Sequence, residues 1–263
     1  MEFLRWALPR LGLRWEGFRK VRRQVCRRVR RRLAALGLAD LDAYRRHLEA
    51  HPEEWAVLEG LTTITISRFY RDAGVFGALE RDVLPALAAG RSRLRAWSAG
   101  CASGEEPYTL ALVWHHDVAP HVGVAALEIL ATDVDRALLA RAADARYQAS
   151  SLKDLPEPLL SAGFERDRSE YVLRREYRAP VTFREHDLRT SPPEGSFDLA
   201  LCRNVAFTYL AADGQQDVVR HLAAAVRPGG ALVLGLHESL PDPSADFEPW
   251  PRARAVFRRR AVS

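Results

Sequence analysis

The fourteen residues Leu94–Pro107, LRAWSAGCASGEEP, hold the residue types whose spacing could do chemistry. A short apolar run (Leu94, Ala96, Trp97) stops at Gly100, Gly104 follows, and the carboxylates Glu105 and Glu106 precede Pro107 and a helix-like stretch. That order reads as strand, glycine turn and helix start. In open α/β sheets, ligands sit beyond the carboxyl ends of the strands. Polar residues at successive predicted strand ends therefore matter: Gly100 and Glu105 after the first, Asp133 after the second, Asp187 after the third, Asn204 after the fourth.

The lip of this turn is acidic, which disfavours phosphate and favours hydroxyls or a cation. S-adenosylmethionine carries both, in a ribose diol, an ammonium and a sulfonium. The turn is G-x-x-x-G rather than G-x-G-x-x-G, and Asp133 lies later than the roughly 20 residues of a dinucleotide fingerprint, so a nicotinamide cofactor fits less well. Each residue also has a plain structural reading. Asp133 or Asp135 could cap the next helix. Gly100 and Gly104 could form an ordinary turn, and Asn204 could simply tolerate a left-handed backbone. The eight histidines form no ligand set, and no metal is expected. The cysteines Cys26, Cys101 and Cys202 are widely spaced, so neither a disulfide framework nor a metal site is expected.

The elements that must position these residues alternate. Strands are predicted at Leu94–Ser98, Ala126–Ala131, Val181–Phe183, Phe197–Cys202 and Ala231–Leu236. Helices are predicted at Ala73–Leu87, Pro107–His116 with Pro107 in first place, Arg136–Ala145 and Gln215–Val226. This pattern implies a mostly parallel α/β sheet, with Ala253–Ala261 folding back as a final strand. An insertion at about 147–180 is expected to hold a short helix at Leu152–Leu160, a strand at Glu170–Arg175 and a loop at Glu165–Glu170. Residues 1–61 read as a helical domain, 62–72 as an extended linker and 73–263 as the α/β domain. In Val21–Leu36 a narrow stripe (Val21, Val25, Val29, Leu33) is surrounded by arginines, including Arg22, Arg23, Arg27, Arg30 and Arg31, with Gly37 as C-cap. Asp40 is placed to cap a second helix that turns Leu41, Tyr44 and Leu48 inward. The arginine face is either a solvated surface or a dock for an acidic partner. It lacks the interleaved aromatics that stack bases, so nucleic acid is not an expected partner.

The chain has 263 residues and a formal charge of +5. No apolar run approaches the roughly 20 residues of a membrane span. A cytoplasmic monomer without an integral membrane segment is expected.

Taken in order, these motifs resemble those of the chemotaxis receptor methyltransferases, the CheR family. The resemblance covers nearly the whole chain. RLAALGLADLDAYRRHLEAHPEEWAVLEGL resembles the end of the family's helical domain, TISRFYRD its N-E-T-x-F-F-R-D linker, and WSAGCASGEEPYTLA its most specific signature; ATDVD, FDLALCRNV and RPGGALVLGLHESL follow in order. It implies a class I methyltransferase (Rossmann-like) fold that transfers a methyl group from S-adenosyl-L-methionine to glutamate carboxylates of an acidic helical protein. It places Thr65, Ser67, Arg71, Gly100, Glu105, Asp133, Asp187, Leu188, Asn204 and Val205 at the cofactor and Arg71 and Tyr209 at the transferred methyl; the basic face of Arg22, Arg23, Arg27, Arg30 and Arg31 is then expected to dock the acidic substrate. Thr65 and Ser67 stand where the family usually has Asn and Thr, Asp187 where it has Asn, and Tyr209 one place later than its tyrosine. The loop ERDRSE lacks the glycine of members that grip a receptor tail, which implies a tail-independent member or another target. Two other classes stay open: a methylase of the same fold for RNA or a small molecule, and a non-catalytic cofactor-binding scaffold. The first is weakened because Arg203-Asn204-Val205-Ala206 replaces an N-P-P-Y-like motif.

Overall fold

The strand periodicity is realised in a computed structural model that describes residues 2–123, 126–241 and 246–261. Two compact units emerge: Met1–Ile66 with Thr208–Gly214, and Ser67–Phe207 with Gln215–Ser263.

In the first unit the basic helix spans Arg22–Leu36 and buries Val25, Val29 and Leu33. Gly37 closes it, its N–H bonding Ala34 O. Asp40 caps helix Leu41–Ala50 by accepting from Ala43 N at 2.7 Å. Tyr44 and Leu48 are buried, but Leu41, the first residue of that helix, is exposed. Helix Glu54–Thr62 runs on past Gly60, so the extended segment starts at Thr63 rather than Thr62. Leu13 and Leu210 form an antiparallel bridge, flanked by Arg14 N donating to Tyr209 O at 2.8 Å and Ala211 N to Gly12 O at 2.8 Å.

The second unit is built on strands β1 (Arg93–Ala99), β2 (Ala126–Asp133), β3 (Arg146–Gln148), β4 (Phe164–Asp167), β5 (Glu170–Leu173), β6 (Val181–Glu185), β7 (Phe197–Cys202), β8 (Val226–Leu234), β9 (Phe247–Pro249) and β10 (Val256–Arg259). The main sheet has the order β6-β2-β1-β7-β8-β10-β9. Its first five strands pair in parallel, and β10 pairs antiparallel with β8 and with β9. β7 is buried along its whole length, as a central strand covered on both faces must be. The connections run from β1 to β2 and β6 on one side and from β7 to β8 on the other. The strand order thus reverses between β1 and β7, the place where such sheets bind ligands.

Several elements differ from the expectations. Pro107 is the third residue of helix Glu105–Val113, not the first. Proline is tolerated there because first-turn N–H groups have no partner inside the helix. The single helix expected at Leu152–Leu160 is two, Ala149–Leu152 and Glu157–Gly163, separated before Pro156. The expected loop Glu165–Glu170 is mostly ladder: β4 and β5 pair from Phe164↔Leu173 to Asp167↔Glu170, leaving Arg168 and Ser169 as a two-residue tip. With β3 they form a small antiparallel sheet of order β3-β5-β4. β8 begins at Val226, ahead of Pro228-Gly229-Gly230, through a register shift opposite Phe197 and Leu199.

Candidate functional site

β1 ends at Ala99, and Gly100 turns the chain with φ +74°. The N–H groups of Gly100 and Cys101 both bond Thr132 O, at 2.8 and 2.9 Å, which fastens this turn to β2. A Cβ on Gly100 would lie 2.6 Å from Val205 Cγ2, so only glycine lets Val205, just past β7, close over the turn. One residue beyond β1's partner pair, Asp133 accepts from Ala102 N at 2.9 Å through one oxygen and from Asp135 N at 3.0 Å through the other. Burial pushes the Asp133 carboxyl above its ordinary range, and these backbone donors oppose that shift. Asp135 caps helix Arg136–Asp144, bonding Ala137 N and Leu138 N. Asp133 is therefore not the cap. Glu105 opens its helix with a side chain in a residue only 3% exposed, and both its oxygens accept from Ser103 Oγ at 3.0 Å.

At the neighbouring tip Asn204 follows β7 with φ 59°, a left-handed backbone that Asn tolerates better than most residues. Its side-chain Oδ1 accepts from Arg71 Nη2 at 3.0 Å, and its N–H donates to Glu238 Oε2 at 2.7 Å. Glu238 Oε2 also accepts from Gly235 N at 2.8 Å. The carboxylate next to Arg71 has its own partner: Asp72 pairs with Arg203 at 3.0 Å. Arg203 also binds Glu106 at 3.1 Å and donates to Arg71 O at 2.7 Å. Ser98 Oγ donates to the other Glu106 oxygen at 2.7 Å. Motif reasoning missed this set of Asp72, Glu106, Arg203 and Glu238. The signal was present: an arginine directly after the apolar run FDLALC must bring carboxylates with it if it is to be buried.

The third tip is joined as well, since His186 N donates to Asp133 O at 3.0 Å. The Asp187 carboxylate, however, turns to Arg189, whose Nη2 lies 2.7 Å away and whose N–H also bonds it. Burial alone would raise this carboxyl, yet the Arg189 bonds hold it below its ordinary value. Leu188 is buried, and its carbonyl accepts from His221 Nδ1 at 2.9 Å.

Thr65 and Ser67 are half-buried on the extended segment, Thr65 in the first unit and Ser67 in the second. Tyr209 belongs to the first unit, where its ring packs on Phe18 at a centroid distance of 5.0 Å. Arg22, Arg23, Arg27, Arg30 and Arg31 are all exposed. The same helix uses Arg28 and Arg32 internally: Arg28 bonds Leu61 O and Thr63 O, and Arg32 makes a two-point pair with buried Glu54 at 2.9 and 2.6 Å.

The strand tips of the second unit suit S-adenosylmethionine. A carboxylate can accept about four hydrogen bonds. Among the described residues one hydroxyl serves both oxygens of Glu105, so acceptor capacity remains in a buried place. The stretch Gly100–Glu106 carries no basic side chain to meet a phosphate. Donor-rich and cationic groups match these acceptors.

Comparison with known proteins agrees. The family profile described as CheR methyltransferase, SAM binding domain, matches residues 65–256, and that described as CheR methyltransferase, all-alpha domain, matches residues 20–59. The chain is 39% identical over 188 residues to a chemotaxis protein methyltransferase of Listeria monocytogenes, covering 71% of this chain and 70% of that one. It is 31% identical over 236 residues to a chemotaxis protein methyltransferase of Salmonella typhimurium, covering 86% and 79%. The sheet order, the acidic strand tips and these matches lead to one assignment: the chain has the class I methyltransferase fold, takes S-adenosylmethionine as cofactor and belongs to the CheR methyltransferase family.

Proposed function

We propose that the protein esterifies glutamate side chains on an acidic helical signalling protein in the cytoplasm, a chemoreceptor or a related target. The observation that carries this reading is the Arg71 guanidinium, held by Asn204 at the switch between β1 and β7. A planar guanidinium can grip a carboxylate at two points. S-adenosylmethionine, when bound, supplies an electrophilic methyl carbon on a positive sulfur that leaves as a neutral thioether. The acceptor carboxylate, with an ordinary pKa of about 4.3, is already ionised near neutral pH, so the site needs no general base. Its residues therefore act by position. Asp133, Glu105, Asn204, Asp187, Leu188, Thr65, Ser67, Gly100 and Val205 are proposed to hold the cofactor, Arg71 to orient the acceptor carboxylate, and Tyr209 to line the acceptor's approach. Arg22, Arg23, Arg27, Arg30 and Arg31 are proposed to dock the acidic target.

Labelling with a tritiated methyl donor tests the ester directly. Label released from protein as methanol by base is expected; base-stable label would instead favour another acceptor, and cofactor binding without label would favour a scaffold. Arg71→Lys is expected to cut turnover by about 100-fold or more, since an ammonium lacks the planar fork, while cofactor affinity measured by calorimetry falls far less. Equal losses in both would make Arg71 a binding residue only.

A further inference from the structure

Arg71 lies between two non-glycine residues in left-handed conformation, Tyr70 with φ 55° and Asp72 with φ 62°. Such backbone persists only where surrounding contacts over-determine it, and it concentrates where a side chain must be aimed. Tyr70 is held by its N–H donating to Thr109 Oγ1 at 3.0 Å and by its ring stacking on Phe76, and one arginine grips the two residues that follow it. Arg203, its side chain 2% exposed, donates through Nη2 to the carbonyl between those two residues and to the Asp72 carboxylate. Its other terminal nitrogen is tied to Glu106, itself held by Ser98 on β1. The guanidinium lies over the Phe76 ring, 5.0 Å from its centroid. The next residue in sequence, Asn204, takes the far end of Arg71.

Resting on the reading of Arg71 given above, we propose that Arg203 is a positioning residue for methyl transfer: it fixes the Arg71 backbone from the β7 tip while Asn204 fixes the guanidinium, so consecutive residues set the aim of the acceptor-orienting group. Asp72 and Glu106 hold Arg203 in register. In this role Arg203 acts through Arg71.

The test compares Arg203→Lys in wild-type and Arg71→Lys backgrounds. Lysine keeps the charge between Asp72 and Glu106 but cannot serve three acceptors with one planar fork. In the wild-type background kcat is expected to fall by about 30-fold, with the KM for cofactor moving less than about threefold. In the Arg71→Lys background the further loss should be under about threefold, because the aimed group is already gone. Asp72→Asn, which keeps the left-handed residue and its shape, should act in the same direction with a smaller loss.

A readout independent of turnover is the nitrogen–proton NMR signal of the Arg71 side chain, assigned by its loss in Arg71→Lys. It should exchange slowly in the wild type and rapidly in Arg203→Lys at an unchanged melting temperature. Equal turnover losses in both backgrounds, or a signal that stays protected in both Arg203→Lys and Asp72→Asn, would overturn the proposal. So would loss of the signal only in variants that have unfolded. A wild-type protein with no turnover would overturn the methyl-transfer reading instead, and the exchange measurement would then decide the clamp by itself.

Discussion

Glu105 and Glu106 are consecutive, yet their surroundings ask different things of them. Both Glu105 oxygens accept from Ser103 Oγ, whereas Glu106 spends its two oxygens on Arg203 and Ser98. Burial pushes the Glu106 carboxyl above its ordinary value of 4.5, with Arg203 and Ser98 opposing the shift. A carboxyl whose pKa is raised by folding favours the folded state most when protonated. That contribution fades as pH climbs from 4.5 through the raised value. Glu106→Gln, uncharged throughout, should therefore flatten this part of the stability profile. Urea midpoints measured from acidic to neutral pH compare the two proteins, and a pH-independent gap between them would count against this view. The two residues could not be separated in sequence, since a pair of acids before Pro107 reads as a charged helix start whichever way each one turns. Asp133 and Asp135 posed the same choice, and it was decided by which oxygen lay within reach of the Ala137 and Leu138 amides.

At the scale of elements, the turn after β1 is tightly constrained. An alanine at Gly100 meets both a left-handed φ and the Val205 side chain at 2.6 Å. Gly100→Ala is expected to cost about 2 kcal/mol or more and to weaken cofactor binding, because relief requires moving either Val205 or the turn tied to Thr132. Chemical denaturation and calorimetry measure the two effects; full affinity in the variant would show that the turn lies outside the binding site. The parallel strands were legible because buried strands such as Phe197–Cys202 are short apolar runs closed by polar residues. The edge was not. β9, only Phe247–Pro249, carries a proline and no alternation, and it exists because β10 offers it a partner. ERDRSE reads as a loop by charge, but its backbone pairs and Arg146 takes the Asp167 and Glu170 carboxylates at 2.6 and 3.0 Å, so the acids serve a hairpin.

For the whole molecule, a formal charge of +5 matters by where it is exposed. The basic helix sorts its arginines: Arg28 and Arg32 fasten it to helix Glu54–Thr62 and the residues just after, and Arg22, Arg23, Arg27, Arg30 and Arg31 reach solvent. Periodicity revealed the apolar stripe but gave no way to tell the two sets apart, since an arginine beside Val29 can serve either. If the exposed set docks an acidic helix, Arg27→Glu with Arg31→Glu should raise KM for the protein substrate by about tenfold, leaving kcat and cofactor affinity near wild type. Added salt should raise the wild-type KM in the same direction. A salt-insensitive KM would assign those arginines to solubility.

The bridge between Leu13 and Leu210 bears on how separable the helical region is. The family's all-alpha match begins at residue 20, which invites grafting that region between relatives by a single cut. Here Tyr209 and its neighbours are laced to residues 12–14 and stacked on Phe18. A chimera that imports a foreign helical region without Thr208–Gly214 would leave this tyrosine without its seat, so exchange of that region has to transplant two stretches of chain together.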